Sequence, residues 1–554
     1  MNLAPLRKLY IVAAVLATLA AAPDPSAAEE RAVKLTIAAT NDFHGYLDPH
    51  KPDLTGGKPA GGAEYLSFYL NSMRDEDPEG FILLDAGDFM AGSLIGNYTK
   101  GKAVVDFYNL MGYDALAVGN HEFDFGALEE GGDTLGALKK RISEAAFPVL
   151  GANIYDRKTG KRLSTPNLKP FHIIERKGAK IGIIGVTTVL TPITTHPMNI
   201  QGLEFRFGAE EIKKIIPALR EHGVNVVIVL AHAGAVCEGG CSGEIVEIAR
   251  SLSPEDVHVI VSGHTHTRIA EPVNGIPIVQ SYSKGVAISR VDLYLDEATK
   301  KVLRDRTKIH PPLLTLNSPP PEPVNPDPSL FAPKPRVVPD AKVAKFMAMY
   351  KEMLAKIKDQ HVCTAEVSLR RRIHGESPVG VLLTDAMRTF FPGVHIAMYN
   401  SGGIRADLPA GKVTYGSIFE VIPFDNSLIK LTLTGAQVKE IVEKGASRSF
   451  GLMAISGIEA TVDMASKPGE KVKALTVGGK PLDPAATYTV ATNDFLLSGG
   501  DGFKTFSEGK DVVNTQTLIR DIFEGYLRRI GTVKAAPPGN YALLNWPFKA
   551  DESP

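Results

Sequence analysis

Cysteine is scarce in this chain. Its 554 residues contain three: Cys237, Cys241 and Cys363. A disulfide framework therefore does not hold the molecule together. Cys237 and Cys241 flank the tripeptide EGG, a spacing that allows a small loop disulfide. A zinc knuckle would need a second ligand pair close by. Cys363 is left over and reads as buried and inert. An excess of either charge is missing too: 61 Lys plus Arg face 62 Asp plus Glu, for a net charge of −1. That balance gives no argument for a polybasic surface facing nucleic-acid polymers or anionic membranes. Long apolar runs are absent beyond the start of the chain. There, LYIVAAVLATLAAA (9–22) follows Arg7 and Lys8 and leads through small residues to PSAAEE. This is the pattern of a secretory signal, residues 1–28, cleaved after Ala28. The run is shorter than the roughly 20 residues of a bilayer span. The mature chain is expected to be exported, to the periplasm or the extracellular space, with no membrane span.

Glycine and proline are plentiful, 52 and 38 residues, and imply many turns. The length suggests about two to four domains. The segment PPLLTLNSPPPEPVNPDPSLFAPKPRVVP (311–339) is too rich in proline for a helix or a central strand and reads as an extended linker. Residues 340–360, DAKVAKFMAMYKEMLAKIKDQ, carry helical apolar spacing and good helix formers. Linker and helix divide the chain into a first half, 33–310, and a second, 361–545.

The first half repeats one pattern. Apolar runs at 34–40, 81–87, 114–119, 181–188, 225–231 and 257–263 read as buried strands. Helical patterns lie between several of them, as at 209–223. Such alternation predicts an α/β fold with buried sheets. Five of these strands end in NDFHG, DFM, NHEFD, HAG or HTH. Ligands bind outside the carboxyl ends of strands in open α/β sheets, so the five ends point to one site. The second half also mixes strands (395–400, 427–435, and the start of 486–503, which runs on into a glycine-rich loop) with helices.

The strand ends offer Asp42, His44, Asp88, Asn120, His232, His264 and His266 as candidate metal ligands. One tetrahedral zinc uses three or four protein ligands. Seven mixed nitrogen and oxygen donors fit two divalent cations (Zn, Mn, Co or similar) sharing a bridging carboxylate. Singly, each of these residues reads as a turn or a helix cap; the ordered set D-x-H … GD … GNHE … H … GHTH is specific. A water activated by the cations is the expected nucleophile. That chemistry suits phosphate monoesters, whose uncatalysed hydrolysis is very slow. Within GNHEFDFG (119–126) adjacent side chains diverge, so Asn120 is read as the ligand and His121 as facing the substrate. Asp124, three residues on, could hold the imidazole and favour its charged form. His121 would then stabilise charge on the phosphoryl group and protonate the leaving oxygen. Glu122 reads as structural or solvent-facing. In the second half NSGGIRADL (400–408) offers an amide, a glycine turn and Arg405, suited to phosphate oxygens.

The ordered motifs resemble those of the secreted 5′-nucleotidase family, over nearly all of residues 33–545. The resemblance implies a four-layer calcineurin-like metallophosphatase sandwich (33–310) followed by a smaller α/β nucleotide-binding domain (361–545). It also implies one metal held by Asp42, His44, Asp88 and His266, and another by Asp88, Asn120, His232 and His264. Some relatives carry Gln at the position of His266. His121 and Asp124 would be the catalytic dyad. Asn400 and Arg405 would contact phosphate, with Gly403 allowing close approach. Phe424 and Phe495 would sandwich the base and Asp501 would bond the ribose. The family places one more phosphate-binding Arg where this chain has Ile373. Of Arg370, Arg371 and Arg372 just upstream, Arg372 is the expected substitute. The implied activity is removal of phosphate from nucleoside 5′-monophosphates in a site between the halves, with the connecting helix as a hinge. Three related activities stay open: 2′,3′-cyclic-nucleotide phosphodiesterase/3′-nucleotidase, UDP-sugar hydrolase and thiosulfohydrolase. So does a non-catalytic nucleotide-binding surface protein, which the intact ligand set argues against.

Overall fold

A computed structural model describes residues 32–316 and 338–546, apart from 130, 238–239, 373–374 and 447–450. Residues 1–28, the expected signal segment, and most of the proline-rich stretch lie outside the described residues. Two large sheets build the described part of the first half. A seven-stranded sheet runs in the order Lys308–Leu314, Ala287–Asp296, Ala32–Thr40, Phe81–Asp85, Ala115–Ala117, Val149–Leu150, Leu168–Lys169. Its strands from Ala32–Thr40 onward are parallel, and the other two are antiparallel additions. A six-stranded sheet has Ala179–Thr187, Val226–His232, Val259–Ser262 and Ile276–Ser281 as its parallel centre.

The continuous apolar runs follow from burial on both faces. Ile37, Leu84, Ile183, Ile228 and Val261 all lie in the core between the two sheets, each with at most 1% exposure. Helices Ala63–Glu76, Lys102–Met111 and Gly136–Glu144 cover the outside of the first sheet. Gly208–Glu221 and Glu244–Ser251 cover the second. The result is the expected four-layer sandwich, helix on sheet on sheet on helix.

The expected connecting helix runs Ala341–Lys358, with Asp340 as N-cap accepting from the amides of Lys342 and Val343. Its buried stripe, Val343, Met347, Tyr350 and Leu354, follows the 3.6-residue period and joins the core of the first half. Each such buried side chain contributes about 1.5–3 kcal/mol. Tyr350 also donates to Asp106 (2.8 Å) and Lys358 to Asp48 (2.6 Å). The helix is thus docked on the first half. The linker starts later than residue 311, because Pro311–Leu314 belong to the strand Lys308–Leu314. That strand is an edge strand, where proline's missing donor costs little.

The second half is built on a five-stranded sheet ordered Ala454–Ser456, Ile396–Tyr399, Thr487–Asn493, Ser427–Thr434, Lys510–Leu518. Pro378–Phe390 and Ile519–Ile530 pack on one face and Gly435–Gly445 on the other. Cys237 and Cys241 form the loop disulfide, and Cys363 is a buried free thiol. Among the described residues no helix is long and apolar enough to cross a membrane.

Candidate functional site

All seven predicted ligands sit just beyond strand ends or, for His232, on the last residue of one, and they converge at one end of the sandwich. Five of them, Asp42, His44, Asp88, His264 and His266, adopt left-handed backbone with φ of 49°, 50°, 57°, 80° and 56°. Non-glycine residues rarely take this conformation, although Asp, Asn and His tolerate it best. So dense a run of strained backbone marks a functional site, where the surrounding fold holds the strain in place.

The donors form two adjoining groups, Asp42–His44–His266 and Asp88–His232–His264. In the first, Nε2 of His44 and Nε2 of His266 face each other at 3.0 Å, and His266 Nε2 lies 3.3 Å from Asp42 Oδ1. In the second, Asn120 Oδ1 is 3.0 Å from both His232 Nε2 and His264 Nδ1, while His232 Nε2 is 3.1 Å from Asp88 Oδ2. Asp88 Oδ2 is also 3.9 Å from His44 Nε2, so its carboxylate stands between the groups as a bridging ligand must. His44 Nδ1 is 2.8 Å from the carbonyl of Ala91, and His232 Nδ1 is 2.9 Å from that of Ala86. Donating there leaves both Nε2 lone pairs aimed into the site, the arrangement that orients metal-binding histidines. Converging lone pairs and carboxylates repel one another without cations, so this donor set fits two divalent ions.

Glu122, read as structural or solvent-facing, is fully buried. Its carboxylate accepts the amides of Asp88 (2.8 Å), Gly119 (2.7 Å), Phe89 (2.9 Å) and Met90 (3.3 Å). Burial, with the charge of Asp88 beside it, pushes the Glu122 carboxyl up to about 8, and the converging amides pull it only part of the way back. Through those four bonds Glu122 ties the loop carrying Asp88 to the loop carrying Asn120. The spacing GNHE held this residue in view, but nothing in the sequence said which backbone it would bind.

His121 Nδ1 lies 2.6 Å from Asp124 Oδ2. Burial opposes the charged ring, but Asp124 and Asp88 outweigh it and hold the pKa of His121 above the ordinary histidine value. Asp124 Oδ1 in turn accepts from Thr195 Oγ1 at 2.6 Å. Thr195 was not singled out in the sequence.

Both halves line one cavity of about 830 Å³. Asp88, Asn120, His121, Asp124, His264 and His266 face it from the first half. Asn400, Gly403, Arg405, Phe424, Phe495 and Asp501 face it from the second. Asp42, His44 and His232 lie deeper, with exposures of 2% or less. Arg405 approaches His44 Nε2 at 3.4 Å and covers the Phe424 ring at 5.7 Å. Phe424 in turn stacks against His121, with ring centroids 5.5 Å apart and planes inclined by 25°. Of the three consecutive arginines, Arg371 lines the cavity; Arg372, the expected substitute, does not. Asn400 and Asp501 are bonded to each other, Nδ2 to Oδ2 at 2.7 Å. Asp501 is in left-handed backbone, φ 50°, and burial pushes its carboxyl up to about 6. Gly403 has no room for a side chain, since a Cβ would meet the Tyr399 ring at 2.6 Å.

Comparison with known proteins agrees with this layout. Residues 35–268 match the calcineurin-like phosphoesterase family and residues 354–508 match the 5′-nucleotidase C-terminal domain. The chain is 28% identical to protein UshA of Salmonella pullorum, over 97% of this chain and 99% of that protein. It is 29% identical to endonuclease YhcR of Bacillus subtilis, of whose length it spans only 38%. Among solved structures, a 5′-nucleotidase precursor from Thermus thermophilus matches 93% of this chain and 100% of its own with TM-score 0.77 and 29% identity.

Proposed function

The chain belongs to the 5′-nucleotidase family of metallophosphoesterases, and on that premise we propose that it removes phosphate from nucleoside 5′-monophosphates. One observation carries the reading: four of the seven candidate cation donors, two arginines, and two phenylalanines with an aspartate face a single cavity between the halves, with Asp42, His44 and His232 grouped directly behind them. Asp42, His44, Asp88 and His266 would hold one divalent cation, and Asp88, Asn120, His232 and His264 the other. Bound there, the cations would activate water and neutralise charge on the phosphoryl oxygens.

The residues divide the remaining work. Arg405 and Arg371 bind phosphate oxygens from the second half; a guanidinium fork suits that geometry. Phe424 and Phe495 take the two faces of the base, a contact that tolerates any base. Asp501, buried and steered by Asn400, accepts from the ribose hydroxyls. His121, held at Nδ1 by Asp124, has Nε2 left to donate a proton to the departing 5′ oxygen. Residues 1–28 direct export of the chain.

A substrate panel on protein reconstituted with divalent cations tests the assignment. AMP should be cleaved with a higher kcat/KM than 2′,3′-cyclic AMP, UDP-glucose or a thiosulfate conjugate. Preference for any of the other three would reassign the substrate, and inertness toward all four would favour a binding protein.

A further inference from the structure

The segment 188–200 belongs to the first half, yet it touches both functional ends of the cavity. Its helical turn Thr191–Thr194 packs against the turn Gly500–Gly502, which contains Asp501. His196 Nε2 lies 3.8 Å from Asp494 Oδ2, one residue before Phe495. Leu190, Ile193 and Thr194 line the cavity beside these groups. On its other side the same segment is bonded to GNHEFDFG at three places. The carbonyl of Thr194 accepts from Asn120 Nδ2 at 3.1 Å. Asn199 Nδ2 donates to the carbonyls of Phe123 (2.9 Å) and Asp124 (3.1 Å). Thr195, 1% exposed, donates its hydroxyl to Asp124 Oδ1 at 2.6 Å.

The last contact has a specific consequence. A carboxylate held at one oxygen can swing about its Cβ–Cγ bond. Asp124 is held at both, by His121 at Oδ2 and by Thr195 at Oδ1. We infer that Thr195 is a positioning residue for the His121–Asp124 pair, fixing the carboxylate that orients the imidazole toward the leaving oxygen. Segment 188–200 thus joins the nucleoside end of the cavity to the proton donor. The inference rests on the reading of His121 as that donor.

The test compares Thr195→Val, which keeps the shape and removes the hydroxyl, with Thr195→Ser, which restores it. His121→Ala is the control. Two substrates are used: AMP, whose alkoxide needs a proton to leave, and p-nitrophenyl phosphate, whose phenolate does not. Thr195→Val should lower kcat for AMP roughly ten- to a hundredfold, the worth of one hydrogen bond to a charged group. It should lower kcat for p-nitrophenyl phosphate far less. KM and bound-metal count should stay at the wild-type values, thermal unfolding should fall by no more than the loss of one hydrogen bond allows, and Thr195→Ser should recover most of both losses. Wild-type kcat in Thr195→Val overturns the inference. So do equal losses on both substrates, a fall in bound metal, or a Ser variant no better than Val. If His121→Ala alone keeps full AMP turnover, the donor reading fails and the inference with it. If His121→Ala is crippled while Thr195→Val is not, only the role of Thr195 is lost.

Discussion

Glu122→Gln is a one-atom change with a calculable effect. The carboxylate of Glu122 accepts two amides on each oxygen: Asp88 and Gly119 on Oε2, Phe89 and Met90 on Oε1. A glutamine amide has only one acceptor oxygen, so in either orientation its NH₂ group faces two backbone donors. Each buried donor left unsatisfied costs about 1–3 kcal/mol, which gives a loss on the order of 2–6 kcal/mol. Folded domains have only about 5–15 kcal/mol to lose. At about 2–4 °C per kcal/mol for domains of 150–250 residues, the first half should unfold on the order of 10 °C earlier. The same donors belong to the loops that carry Asp88 and Asn120, so cation affinity should fall with stability. Differential scanning calorimetry, with and without added divalent cation, reads both effects: the transition should drop, and cation should raise it less than in the wild type. A transition within about a degree of wild type, with unchanged cation stabilisation, would refute the claim that Glu122 ties the ligand loops together.

Three other substitutions separate the remaining roles. His121→Ala should lower turnover of AMP by roughly 10²–10⁴-fold while two metals stay bound; Asn120→Ala should instead lose one metal per chain, so elemental analysis of the two variants tells donor from ligand. Phe495→Ala should raise KM for AMP much more than for p-nitrophenyl phosphate in steady-state assays, and equal effects would remove the base clamp. Stability should also fall in mild acid through His258, whose Nδ1 accepts the amide of Val227 at 3.0 Å and which burial pulls down to about 4. Because the folded pKa lies below the unfolded value of about 6.5, its contribution is intact above pH ~6.5 and is lost as pH falls toward 4, up to roughly 3 kcal/mol. Denaturant titrations at a series of pH values should show that slope, and His258→Gln should flatten it.

The convergence of the seven candidate ligands was legible in the sequence for a physical reason. Strands buried on both faces read as unbroken apolar runs, so the Asp, His and Asn at their ends stand out against them. The α/β rule then places those ends together. The chain's own punctuation also located the connecting helix, since Val343, Met347, Tyr350 and Leu354 keep helical spacing. What the sequence hid depends on contacts between distant segments. Glu122 looks like any helix-turn acid until its four backbone partners are seen. Thr195 lies in a segment without strand or helix periodicity, 71 positions from Asp124. Counting from the family motif pointed to Ile373 and so to Arg372 as its nearest substitute, yet it is Arg371 that lines the cavity. Nor could spacing reveal that Asn400 and Asp501 bond each other, since 101 positions separate them. Proline density set the linker's start at 311 because the rule against proline in strands holds for central strands, and Lys308–Leu314 lies at an edge.

Phosphate release from AMP, followed as divalent cation is added back to metal-free protein, tests the central claim most directly. Activity should stay low through the first equivalent and rise to its plateau with the second, because the proposed reaction needs both cations, with Asp88 proposed to hold the two together. Full activity at one equivalent, or no phosphate release at two, would contradict the account.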